Sequence, residues 1–289
     1  RDGINLAKNS IFYRPRQSSK PCGGQIVFTM KITVLTENTA GGKLLAEHGL
    51  SYLIEIDDQK ILFDTGHSDV FLKNASQMGI DIQTEVETVV LSHGHWDHGD
   101  GLQFLQNKKL ITHPGAFIRR FRKRDFSPVG LSLSRAELKK RFELAETELP
   151  LKLTENLYFL GQVPRKNTFE AQTTSFADDS QNDDFVPDDS ALAVISNNQL
   201  IVITGCSHSG ICNITEYAKK TTGISQVKAV LGGFHLKEQN QQTQLTIDYF
   251  KRNKIEKVFP SHCTELPALA AFYNEFHTRQ LKTGMILEL

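Results

Sequence analysis

The sequence predicts an α/β protein, an αββα sandwich in which two mixed sheets pack face to face with helices outside. Two observations predict it. Strand patterns come first, as hairpins, and later strands alternate with helical segments. Sheets in such an order bury one face on each other and the second face under helices. A chain of 289 residues with 39% hydrophobic and 23% charged residues has the size and composition to fold that way as one large globular domain.

Residues 1–29 are rich in Arg, Lys, Ser, Asn, Pro and Gly without a sustained apolar period. They read as a poorly ordered extension, and 30–289 as the folded domain, with an irregular insert at about 114–190. Met30 stands directly before a good strand, 31–35, and fits a natural start. Residues 52–56 and 60–63 flank Asp57-Asp58-Gln59 as a hairpin, which Asp64-Thr65-Gly66 ends. A helix over 70–78 is stopped by Gly79, and a buried strand, 88–91, runs into a histidine-rich segment. A further helix is expected to begin at 102–105. In the insert, Ser134 and Glu137 form a capping box, 157–160 reads as a strand, and the acidic stretch 177–189 reads as an exposed loop. Strands 191–195 and 200–204 then join through Asn197-Asn198. Helix, strand (226–231), helix (244–252), strand (257–259) and helix (268–276) complete the order.

Lysine plus arginine equals aspartate plus glutamate at 33 each. That balance argues against nucleic acid or an anionic membrane as the main partner and leaves a small-molecule substrate. No apolar run approaches the ~18 residues a bilayer requires, and 1–24 lack the pattern of a signal peptide. Cys22, Cys206, Cys212 and Cys263 are too scattered for a disulfide scaffold, so a reducing cytoplasm is the expected setting.

The chemistry concentrates in His93-Gly94-His95-Trp96-Asp97-His98, four ligand-type residues within six positions of a post-strand loop. His93 and His95 can converge on one ion while Asp97 and His98 face a neighbouring one. Imidazole and carboxylate donors suit Zn²⁺, and also Fe or Mn. Gly94 and Gly99 are expected to give the backbone the freedom to bend there.

This segment resembles the signature of the metallo-β-lactamase superfamily. Asp64, at the end of its strand, matches that family's early aspartate, and His262, after the strand ending at Phe259, its late histidine. The resemblance runs from Met30 to Leu289. Thr204-Gly205-Cys206-Ser207-His208, Gly232-Gly233-Phe234-His235 and Ser261-His262-Cys263-Thr264 narrow it. They are similar to the dihydropterin-methyl-ribofuranosylaminobenzene-phosphate synthase-like branch, named for a pterin-pathway transferase. One departure stands out: Cys206 follows Gly205 where most members place a bridging aspartate.

The resemblance implies a metallo-β-lactamase fold and two divalent metal ions, Zn foremost. The ligands it implies are His93, His95, Asp97, His98, His208 and His262. His208, Asp188, Asp189 and Cys206 remain alternatives for the bridge, with His208 favoured as a ligand and the aspartates as supporting or substrate contacts. Cys206 and Cys263 read more simply as small buried cysteines. The implied reaction is attack by a metal-bound hydroxide on an ester, lactone or phosphoester. Asp97 or Asp64 would orient the nucleophile, and His235 would protonate the leaving group.

The alternative is a transferase that releases diphosphate. A diiron oxidoreductase comes third, because such relatives carry an acidic residue where His95 stands. A binding module without activity is disfavoured by the complete histidine segment. Arg119, Arg120, Arg122, Lys123 and Arg124, interleaved with phenylalanines, read either as a solvated helix face or as a grip on an anionic or phosphorylated substrate. His67 and His113 read as rim positions, and His48 and His277 as surface ones.

Overall fold

The computed structural model describes residues 30–289, so the expected extension and Cys22 lie outside the described residues. The chain opens with an antiparallel meander: β1 (Lys31–Thr36), β2 (Ser51–Ile56) and β3 (Gln59–Phe63). Helices α1 (Val70–Gln77) and α2 (Ile82–Glu85) lead to β4 (Thr88–Val90), the short helix α3 (Trp96–Gly99) and β5 (Lys108–Thr112). Next come β6 (Arg120–Arg122), α4 (Arg135–Arg141) and β7 (Phe142–Glu146). The short strands β8 (Leu151–Lys152), β9 (Leu157–Phe159), β10 (Phe176–Asp178) and β11 (Asp183–Asp184) follow. Then β12 (Ala191–Ser196) and β13 (Gln199–Thr204) form a hairpin. The C-terminal third alternates α5 (Ile211–Thr222), β14 (Val227–Gly233), α6 (Gln241–Arg252), β15 (Lys257–Ser261), α7 (Leu266–Phe276) and β16 (Ile286–Glu288).

Two mixed sheets result, ordered β16-β1-β2-β3-β4-β5-β7 and β15-β14-β13-β12-β9-β8, with a small third sheet β11-β10-β6. Strand periodicity explains their stacking. Ile32, Val34, Ile54 and Phe63 from the first sheet share a core with Leu192, Val194, Ile201, Ile203 and Leu231 from the second. Their alternate neighbours point outward. Leu35, Leu53, Leu62 and Leu110 pack beneath Phe71, Ala75 and Leu138, while Ala193, Val202 and Val230 pack beneath Ile211, Ile247, Phe250 and Phe272. Each strand thus serves two apolar layers, and the αββα order is as the sequence predicts.

Local chemistry sets the turns. Asn197 and Asn198 adopt φ of 51° and 60°, as a two-residue hairpin turn demands. The Ser134–Glu137 capping box forms. Three expectations change. The segment after the histidines is a 3₁₀ turn, Asp100–Phe104, that runs directly into β5. The basic run is not a helix face: it enters β6, where Arg120 is fully buried. The stretch 177–189 is an exposed loop only at 179–183: β10 and β11 flank that turn, and Ala177, Asp184, Val186, Asp188 and Asp189 are buried. No helix among the described residues is long and apolar enough to cross a membrane.

Candidate metal centre

Parallel strands β3 and β4 of one sheet, and β13, β14 and β15 of the other, run out toward a common edge. Their carboxyl ends deliver Asp64, the His93–His98 segment, Cys206 to His208, His235 and His262, in keeping with the general placement of sites in α/β proteins. Asp64, Ser207, His235 and His262 all hold left-handed φ, between 50° and 57°. Such backbone is costly for residues other than glycine and concentrates at functional sites.

Three groups of side chains bring their ligand atoms within 4.8 Å of one another: His93, His95 and His208; Asp97, His98 and His262; and His93, His98 and Cys206. The third group overlaps the other two, which places Cys206 Sγ where they meet. His98 Nε2 lies 3.1 Å from that sulfur and 3.0 Å from His262 Nε2. His93 Nε2 lies 3.0 Å from His95 Nδ1, and Asp97 Oδ2 lies 3.4 Å from His262 Nε2.

The hydrogen bonds behind these atoms fix which ring nitrogen each histidine turns inward. Asp64 Oδ2 accepts from His98 Nδ1 at 2.6 Å and from Ser92 Oγ at 2.7 Å. Ser92 Oγ, having given its proton to a carboxylate, accepts from His93 Nδ1 at 2.9 Å. His262 Nδ1 donates to Asn38 Oδ1 at 3.1 Å, since the Asn38 amide nitrogen donates to the His262 carbonyl. His93, His98 and His262 therefore all turn Nε2 toward the centre. His98 Nε2 and His262 Nε2 face each other at 3.0 Å, a spacing that a shared proton or a divalent cation between them satisfies. His95 Nε2 and His208 Nε2 are buried without a partner. The donor set fits divalent metal.

Electrostatics leave the first set, His93, His95 and His208, ready as neutral ligands. Burial holds His93, His95 and His208 well below the usual imidazole range, which keeps them neutral. Burial also opposes charge on His98, yet the Asp64 and Asp97 carboxylates raise it to about 9, so a cation bound there would displace a proton from its Nε2. Burial opposes ionisation of Asp97, but His98, His262 and His48 outweigh it and hold the carboxyl well below its ordinary value. Burial and Lys237 lower His235 to about 4.

Asp97, His95, His208, His235 and His262 line a cavity of about 760 Å³, as do Cys206, Phe176, Arg122, Lys123 and Lys237. Asp64 does not. It is fully buried behind the histidines, where it supports two of them and has no access to a nucleophile in the cavity. Asp188 and Asp189 join no ligand group among the described residues: Asp188 is bound by Arg120 and Gly94 N–H, and Asp189 accepts from Ser209 N–H. Gly94 is required by contact, not by bending, since a Cβ there would lie 1.8 Å from the Ala116 carbonyl oxygen. His113 is buried away from the cavity wall, with Nδ1 accepting from Gly115 N–H.

Sequence reasoning missed three supports: Ser92, Asn38, and His48, whose Nε2 lies 3.1 Å from Asp97 Oδ2. Ser92 alone carried a signal, its place beside His93.

A model of the metallo-β-lactamase superfamily matches residues 45–114. The chain is 37% identical, over 82% of its length and 92% of the relative's, to an uncharacterized protein of Methanocaldococcus jannaschii. It is 30% identical to the 7,8-dihydropterin-6-methyl-4-(β-D-ribofuranosyl)-aminobenzene-5'-phosphate synthase of the same organism, over 91% of this chain and 97% of that one. Among solved structures it is similar to Tm1679, a metal-dependent hydrolase of the β-lactamase superfamily. The TM-score is 0.80 and the identity 31%, with 90% of this chain and 99% of that one covered.

Proposed function

The chain belongs to the metallo-β-lactamase superfamily, and from that premise we propose that it is a metal-dependent hydrolase of an ester, lactone or phosphoester. The observation that carries the reading is the pair of adjoining ligand sets, preset by Asp64, Ser92 and Asn38, beside a cavity of about 760 Å³. His93, His95 and His208 would hold one divalent ion; Asp97, His98 and His262 would hold the second, with Cys206 between them. Zn²⁺ suits this donor set best, with Fe or Mn as substitutes. Once bound, such ions acidify water and draw charge from the oxygen of a scissile bond.

The chain's own residues do the rest. Asp97, held by His48 Nε2, orients the nucleophile at the cavity wall. His235, its ring 4.5 Å from that of His208, offers an N–H to the departing oxygen. Phe176 packs 4.6 Å from the His95 ring and keeps water from that side. Arg122 and Lys237, with Lys123 paired to Asp183 beside them, give the wall a positive character suited to an anionic or phosphorylated small molecule.

The test is turnover by Zn²⁺- or Mn²⁺-loaded protein across carboxylate esters, lactones and phosphoesters. Activity on one class should fall roughly 10²–10⁴-fold in Asp97→Asn, with the fold intact by circular dichroism. Full metal loading without turnover on any class would sink the hydrolase reading. The 30% identity to the synthase favours a second reading, a transferase of the pterin pathway. Diphosphate release that requires an acceptor would select it.

A further inference from the structure

Gly94 separates His93 from His95, and both of its faces are held. Its N–H donates to Asp188 Oδ2 at 2.8 Å. Its Cα rests against Ala116, close enough that no Cβ fits. Both attachments lead to one residue. Arg120 grips the Asp188 carboxylate with both terminal nitrogens, and its Nη2 also reaches the carbonyl oxygen of Gly115, next to Ala116, at 3.2 Å. Its Nε donates to Asp184 Oδ2 at 2.6 Å.

Arg120 and Asp188 are fully buried, and Asp184 nearly so. A buried arginine between two carboxylates costs desolvation that an apolar trio would avoid, so stability alone is a poor reason for it. Residues 120–130 form a hairpin, with Arg122 N–H donating to the Ser127 carbonyl and Val129 N–H to the Arg120 carbonyl, and it also meets the metal loop through its backbone. Trp96 N–H donates to the Val129 carbonyl, and His95 forms a bridge with Gly130. Strand β6, which begins at Arg120, pairs with β10, and β10 brings Phe176 against His95. One arginine thereby ties the cavity wall to the ligand loop.

We propose that Arg120 and Asp188 are positioning residues: through the Gly94 amide they set His93 and His95 for the metal, and they couple its binding to the order of the 120–130 hairpin. The inference rests on the metal-dependent reading above. Coupling is reciprocal, so an ion bound at the loop must also steady the hairpin.

The experiment measures Zn²⁺ affinity by competition with a chromogenic chelator, together with amide hydrogen exchange, in wild type, Asp188→Asn and Arg120→Lys. Asp188→Asn should weaken one of two Zn²⁺ sites by about 10–100-fold, the usual effect of removing a supporting group, and leave the other unchanged. Arg120→Lys keeps the charge without the two-pronged grip and should fall between. In wild type Zn²⁺ should slow exchange across 120–130, and in Asp188→Asn it should not. Wild-type affinity at both sites in Asp188→Asn, with only the melting temperature lowered, would reduce the cluster to a structural tie. If Asp188→Asn fails to fold, wild-type exchange decides, and a hairpin indifferent to Zn²⁺ overturns the proposal. Wild type that takes up neither Zn²⁺ nor Mn²⁺ overturns the metal reading and this one together, which separates the two failures.

Discussion

Cys206 lies where the two candidate ligand sets meet, with Sγ 3.1 Å from His98 Nε2 and in one group with His93 and His98. Burial pushes its thiol well above the ordinary range, so the thiolate needs a cation beside it. Protein loaded with Co²⁺ should therefore show a thiolate-to-cobalt charge-transfer absorption in the near ultraviolet. Cys206→Ser should abolish it and Cys263→Ser should leave it; a wild-type spectrum without the band would make Cys206 a bystander. At this scale the clustering of candidate ligands was legible where they are local. His93, His95, Asp97 and His98 stand within six positions, whereas His208 and His262 needed the family's order. Asn38 was illegible because it meets His262 only through a fold that brings residues 224 positions apart together. The cysteine was legible as a departure, but its proximity to His98 was not.

Helix α5 is preceded by Gly210, which has no side chain to cap it. Glu170 supplies the cap from a distant loop, accepting from Cys212 N–H and Asn213 N–H, each at 2.9 Å. Glu170→Ala should cost about 1–2 kcal/mol, the usual range for a lost cap, read as a fall in melting temperature of roughly 2–4 °C per kcal/mol. Burial raises the Glu170 carboxyl above 4.5. A raised folded value favours the protonated state, so its contribution is complete below the unfolded value and is lost as pH rises through the folded one. Glu170→Gln is neutral throughout. Compared by urea unfolding between about pH 4 and 7, it should gain on wild type as pH rises; a constant gap would show that the carboxyl does not titrate in that window. Neither this cap nor the ordering of 177–189 was visible in the sequence. Acidic, polar composition reads as solvated, and only the fold brings Arg120 to Asp184, 64 positions away, and to Asp188, 68 away.

The layer order was legible because period-two strands feed two apolar faces, a pattern written along every long strand. The closure of the first sheet by β16 was not, since three partly exposed residues, Ile286–Glu288, carry too little pattern. One consequence belongs to the whole molecule. His93 and His95 follow β4 in the first sheet, while His208 follows β13 in the second. Asp97 and His98 likewise stand opposite His262, which follows β15. Each bound ion would therefore join the two halves of the sandwich, and unfolding would have to release it. A ligand at 100 times its dissociation constant adds about 2.7 kcal/mol, so each ion should raise the melting temperature by roughly 5–10 °C at 2–4 °C per kcal/mol. Scanning calorimetry with and without EDTA measures the full increment, and His208→Ala should lose the share of one ion while retaining the other. An increment unchanged in His208→Ala would mean that the first ion is held from one sheet alone. A melting temperature indifferent to EDTA in metal-loaded wild type would mean that neither ion joins the sheets.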